Sequence, residues 1–124
     1  MKHVLSVHEF SFNKIKKGTR RVGVHLLDKQ MQKVKLHDVI EMHNVSDGDV
    51  LECEVVGIAI FDNMEDLVDA IGPHALGYDN KEEVMVRVNR LFSKEMQDTF
   101  NAVGFYLRPV VSWARVMSRS EYER

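Results

Sequence analysis

The chain has 124 residues, 44% of them hydrophobic, with a formal net charge of -2 and a single cysteine. That length fits one compact domain, the near-neutral balance does not mark a bulk polyanion binder, and one cysteine excludes an intramolecular disulfide. No secretory leader is visible and no apolar run approaches the ~18 residues of a membrane span, so a soluble, cytoplasmic protein without membrane contact is expected.

The alternation in "HVLSVH" at 3–8 predicts a short strand. "EFSFNKIKKG" sets Phe12 and Ile15 three apart among lysines and stops at Gly18, which predicts a short helix. "RRVGVHLL" is a second strand, with Val22, Val24 and Leu26 on one face and Gly23 and His25 on the other. A glycine inside a strand marks a bulge or a close approach. "DKQMQKVKLHD" is a basic loop with a turn or two of helix, "DVIEMHN" a strand, and "SDGD" at 46–49 a hairpin turn. "VLECEVVGIAIF" at 50–61 is a long central strand bent near Gly57.

From Asp62 the period becomes helical. Met64, Leu67, Val68 and Ile71 share a face, Asp62 reads as the N-cap and Gly72-Pro73 as the stop. Asn80 caps a second helix that aligns Val84, Val88 and Leu91, and Ser93 caps a further turn or two. "AVGFYLRPVV" is a closing strand. Residues 111–124 form a short amphipathic helix or tail. The order predicts a small α+β barrel with mostly antiparallel neighbours and flanking helices, spanning 1–110, with 111–124 as an extension.

Charge is distributed unevenly. Residues 14–35 hold Lys14, Lys16, Lys17, Arg20, Arg21, Lys29, Lys33 and Lys35 against Asp28 alone, while 41–83 is acidic. Such a run is usually a solvated face, but it also gives the surface a local positive field. Six histidines invite a metal, yet none makes an H-x3-H or H-E-x-x-H pair, and His3 and His8 fall on opposite faces of a strand, so no metal is expected. No cofactor is indicated either. Cys53 reads as a small buried residue.

"FNKIKKGTRRVGVHLLDKQMQKVKLHDVI" resembles the ASCH domain family, a branch of the PUA-like β-barrels. The family opens F-x-x-I-x-x-G-x-K-x-x-E-x-R-L-x-D and continues through a basic loop to G-D-x-I. Phe12, Ile15, Gly18, Leu26, Asp28, Asp38 and Ile40 stand in matching positions. "FDNMEDLVDAIGPHALGY" and "LFSKEMQDTFNAVGFYLRPV" resemble later family motifs, in register, so the likeness runs over about 1–110. It implies a PUA-like barrel with a cleft beside the first strands. Many members are thought to bind RNA or nucleotides. Some are amidohydrolases that deacetylate N4-acetylcytidine with a lysine, a threonine and a glutamate.

The departures fall where that chemistry would sit. The motif lysine is Arg20, the motif acid (threonine in the amidohydrolase branch) is Gly23, the motif arginine is His25, and the glycine of the G-D pair is His37. Arginine stays protonated and cannot act as a base, and Gly23 has no side chain. The expected function is therefore RNA or nucleotide binding without amidohydrolase activity, with Lys17, Arg20, Arg21, Lys33 and Lys35 as charged contacts and His25 on the cleft floor. His25, Phe92 and Tyr106 are candidate stacking groups. The competing readings are a nucleoside-modifying enzyme with His25 as its base, and a protein-interaction module that docks through the tail around Trp113.

Overall fold

A computed structural model describes residues 1–110; the extension at 111–124 and its Trp113 lie outside the described residues. The strands are β1 (Lys2–Val7), β2 (Val22–Leu26), β3 (Val39–Asn44), β4 (Val50–Phe61) and β5 (Ala102–Pro109). The helices are α1 (Glu9–Lys17), α2 (Met64–Ile71), α3 (Lys81–Leu91) and α4 (Lys94–Thr99), with a single 3-10 turn at Met31–Lys33.

One sheet of order β1-β3-β4-β5-β2 curls into a half-barrel, an α+β fold of PUA-like type. Three of its four pairings are antiparallel, and β1–β3 is parallel. The parallel pair arises because α1, β2 and a basic loop intervene between its strands, a crossover too long for a hairpin. β4 is central, as expected, and its register shifts between Val55 and Gly57. At the shift Tyr106 lies against Gly57, where a Cβ would stand 3.3 Å from the tyrosine Cβ. A bulge there bends the strand and drives the curl.

Period-2 alternation splits the core in two. Inside the curl, Phe12 and Ile15 of α1 pack with Ile40, Met42, Cys53, Val55, Phe105 and Leu107, and Met31 and Val34 from the segment after β2 join the same cluster. On the other face, Val22 and Leu26 pack with Met64, Leu67 and Val68 of α2 and Val84 and Val88 of α3. Both faces of β2 are therefore covered. The face of Gly23 and His25 is the barrel interior.

The helix ends follow local chemistry. His8 accepts the Phe10 N–H at 3.1 Å to start α1. Gly18 ends it at φ 80, a left-handed conformation that glycine adopts without strain. Asn80 and Ser93 cap α3 and α4 as expected, accepting from Glu83 and Met96. At α2 the cap is Asn63, not Asp62. Asn63 has the extended backbone of an N-cap and its side chain accepts the Asp66 N–H at 2.8 Å, which leaves Asp62 exposed one residue outside. Cys53 is fully buried, and burial pushes its thiol up to about 11, so it is an inert core residue.

Residues of the family pattern kept in this chain hold up the scaffold. Phe12, Ile15, Leu26 and Ile40 are buried. Asp28 accepts the Met31 N–H at 3.0 Å and closes the 3-10 turn. Asp38 collects the N-terminal amine, His3 at 2.7 Å and the Lys35 N–H at 3.0 Å, bonds that hold its carboxyl well below the usual range. His37 takes φ 70 where the pattern has glycine, and its ring meets Glu54 at 3.1 Å.

Candidate functional site

The half-barrel does not close between its edge strands. β1 and β2 each pair on one side only, and a cleft of about 220 Å³ opens at this seam. β1 contributes Ser6, β2 contributes Gly23, Val24 and His25, α1 contributes Ser11, and α3 contributes Val84, Arg87 and Val88. Arg20, Leu76 and Tyr78 line the cleft from the segments that lead into β2 and α3. Among the described residues no Asp or Glu lines it.

Arg20 is 9% exposed. Its Nε donates to the Leu76 carbonyl at 2.8 Å, its Nη1 to Ser11 Oγ at 3.0 Å and its Nη2 to the Tyr78 hydroxyl at 2.9 Å. The guanidinium also sits 5.3 Å from the Tyr78 ring centroid. Burial lowers its pKa, opposed by Tyr78. Three of five N–H donors are thus spent on fixing α1 to the turn before α3, and its partners among the described residues are all neutral. An arginine fork suits such a hub, because one rigid plane meets three acceptors.

Arg87 is different. Its Nε and Nη2 are buried without a hydrogen-bond partner among the described residues, in the wall of the cleft. Its guanidinium carbon stands 5.7 Å from the Phe10 ring centroid. Lys14 completes the cluster. Its Nζ lies 4.2 Å from both the Phe10 and Tyr78 centroids and donates to the Gly77 carbonyl. Burial, and then the Arg20 charge, lower the Lys14 pKa. Three cations and two aromatic rings therefore share one corner of the domain. Buried guanidinium nitrogens without a partner are costly to folding, and a natural partner for them is an anion.

His25 faces the barrel interior. Its ring lies 5.8 Å from Phe105 and makes no side-chain hydrogen bond among the described residues. Burial pushes its pKa down to about 4, with Arg20 adding to the fall and Asp28 opposing it. At neutral pH it is an uncharged imidazole. A Cβ at Gly23 would meet His25 Nε2 at 3.5 Å and Leu107 Cδ1 at 3.3 Å. The close approach expected at position 23 is made by the imidazole and by Leu107. Two departures from the family pattern thus form one packing unit: a glycine at 23 admits a ring at 25.

Of the residues expected to make contact, Arg20 and His25 meet in the cleft. Arg21 is exposed and lines a second groove with Gly18, Tyr106 and Arg108, which shares Ile15 and Arg20 with the first. Lys17 is exposed on the last turn of α1, and Lys33 and Lys35 are exposed on the loop after β2, outside both grooves. Phe92 lines the cleft and Tyr106 the second groove. Sequence reasoning missed Arg87, Tyr78 and Ser11, and had Lys14 only as a member of the basic run. Arg87 sits in α3 between Val84 and Val88, one position off the apolar stripe, and a charged residue at the border of a buried face was the signal available. Among the described residues no group of three or more His, Cys, Asp or Glu is placed to hold a metal ion. No helix among them is long and apolar enough to cross a membrane.

A curled five-stranded sheet with four helices and a cleft at its open seam defines a PUA-like half-barrel domain. No protein-family model and no curated protein matches the chain. Solved structures do. Hypothetical protein PH0355 superposes with a TM-score of 0.78 at 21% identity, covering 89% of this chain and 100% of that one. Protein PF0455 from Pyrococcus furiosus gives 0.68 at 18%, over 90% of this chain and 99% of that one. The ASCH protein from Zymomonas mobilis gives 0.63 at 14%, over 96% of this chain and 79% of that one. The chain has the fold of an ASCH domain.

Proposed function

We propose that this is a cytoplasmic RNA- or nucleotide-binding ASCH-type domain without amidohydrolase activity, formed by residues 1–110, that takes its ligand in the seam cleft. One observation carries the reading: Arg87 lines the cleft with its Nε and Nη2 buried and unpartnered, and among the described residues the lining also holds Arg20 and no Asp or Glu. A phosphate oxygen would satisfy those donors with charge-assisted hydrogen bonds. Lys17, Arg21, Lys33 and Lys35 supply an outer positive field that steers a polyanion without specific contact. The amidohydrolase set implied by the resemblance lacks its parts. Arg20 cannot take a proton, Gly23 offers no hydroxyl, and among the described residues no carboxylate lines the cleft. His25, with a pKa of about 4 and no hydrogen-bonded nucleophile among the described residues, is a weak base at neutral pH.

The test is equilibrium binding of uridine 5′-monophosphate and of a short single-stranded RNA, compared between the native chain and Arg87→Met. The native chain should bind both at low salt. Two phosphate contacts give a salt slope of about -1.4, so RNA affinity should fall about sevenfold between roughly 50 and 200 mM salt. Arg87→Met should lose at least tenfold in affinity while folding as stably or more so, because an unpaired buried charge is removed. Absence of binding at low salt, or equal affinity of the variant, overturns the proposal.

A further inference from the structure

The seam brings two free sheet edges to one cavity, and the hydrogen-bond register says which main-chain groups face it. In the β2–β5 ladder Leu107 donates its N–H to the Arg21 carbonyl and Leu27 donates to Asn101, each at 2.8 Å. The register runs from Val22 opposite Tyr106 to Leu26 opposite Ala102. Antiparallel alternation then makes Gly23–Phe105 and His25–Val103 the hydrogen-bonded pairs and turns the N–H and C=O of Val24 away from β5, toward the free edge. In the parallel β1–β3 ladder the carbonyls of Met1 and Val7 accept from Val39 at 3.0 Å and Val45 at 3.1 Å. The odd-numbered residues of β1 therefore face β3, and the N–H and C=O of Ser6 face outward. Val24 and Ser6 both line the cleft.

We infer that the cleft receives one unpaired nucleobase and reads its pairing edge through the main-chain N–H and C=O of Val24, with Ser6 on the opposite edge. This rests on the anion-binding reading above and specifies what accompanies the phosphate. A residue on a free strand edge sets a donor beside an acceptor. Uracil, cytosine and adenine each carry an adjacent acceptor and donor along the edge used in base pairing, so each can satisfy Val24, and a base already paired cannot. The site thus selects unpaired bases over paired ones rather than one sequence over another.

Size supports a single base. An apolar cavity of about 150 Å³ holds benzene, so about 220 Å³ admits one base with its sugar outside and not a stacked pair. A peptide strand adding to the edge is disfavoured by the same geometry. It would need the outward groups of Val22, Val24 and Leu26 in a row, but Val22 and Leu26 are buried beneath the helical layer and only Val24 of the three lines the cleft. The walls beside Val24 are apolar, from Leu76, Val88 and Phe92, and Arg87 supplies donors for the phosphate.

The experiment uses the full chain labelled with 15N and three probes at low salt: uridine 5′-monophosphate, its 3-methyl analogue and inorganic phosphate. Uridine 5′-monophosphate should shift the Val24 amide resonance, and methylation of the pairing edge should weaken binding at least tenfold while leaving phosphate binding in place. Val24→Pro removes the outward N–H at a position with no ladder bond, so the strand is retained and the same tenfold loss is expected. If that variant does not fold, the analogue comparison decides alone. A methyl effect below twofold, or an unmoved Val24 amide with the nucleotide bound, overturns this inference and leaves the anion reading standing. Failure of both the nucleotide and phosphate to bind defeats the two together.

Discussion

Replacing His25 by glutamine should flatten the acid limb of the stability curve. The unfolded chain binds a proton on this imidazole near pH 6.5, and the folded chain only near 4, because the ring is buried against Phe105 and repelled by Arg20. Protons then favour the unfolded state, so stability falls as pH drops through this window and rises with pH. Integrating the two titrations gives a loss of about 2 kcal/mol between pH 7 and pH 5. With a urea dependence of about 2 kcal/mol per molar, the unfolding midpoint should fall by about 1 M. Asp38, Glu41 and Glu54, whose carboxyls are held below their ordinary range by hydrogen bonds and ion pairs, add their own losses only at lower pH. The comparison therefore belongs between pH 5 and pH 7. His25→Gln should reduce the slope to a fraction of the native one. If native and variant midpoints fall in parallel, the fold does not hold this imidazole neutral.

Two further substitutions test the frame of the site. Arg20→Lys keeps the charge but cannot reach Leu76, Ser11 and Tyr78 together, so it should cost about 2–3 kcal/mol in urea unfolding, and a cost below about 0.5 would reject the hub role. Asn63→Ala should cost about 1 kcal/mol and Asp62→Ala close to none, measured by thermal unfolding; the reverse order would move the α2 cap back to Asp62.

Strand and helix periods were legible because they are local. Alternation placed Val22, Val24 and Leu26 opposite Gly23 and His25, and the structure keeps that division. What the pattern could not say is that the face of His25, expected as a cleft floor, also packs its ring beside Phe105 of the neighbouring strand β5, a partner some eighty residues away in sequence. The cap of α2 was missed by one residue because Asp62 and Asn63 are equally good caps in isolation and only backbone angle separates them. Charge was legible as a run but not as a geometry. Arg20 and Arg21 are neighbours in sequence, yet one anchors a turn inside the cleft and the other lies in the second groove. Arg87, more than sixty residues further on, joins Arg20 only through the packing of α3 on β2. A site assembled from α1, β1, β2 and α3 has no local signature.

The position of β5 in the sheet has a consequence for how the chain acquires its form. β5 lies between β4 and β2, so residues 22–26 find their partners at 102–106. Every antiparallel bond of β2 must wait until the rest of the domain has been synthesised. At typical rates of about 5–20 residues per second, β2 spends several seconds after it emerges as an unpaired apolar segment. Closing a loop of this length before any contact rewards it also slows folding of the finished chain. The last strand in the sequence is thus the keystone of assembly. A truncation within 102–109 would leave both β2 and β4 with open edges, and aggregation of nascent chains would precede any loss of binding.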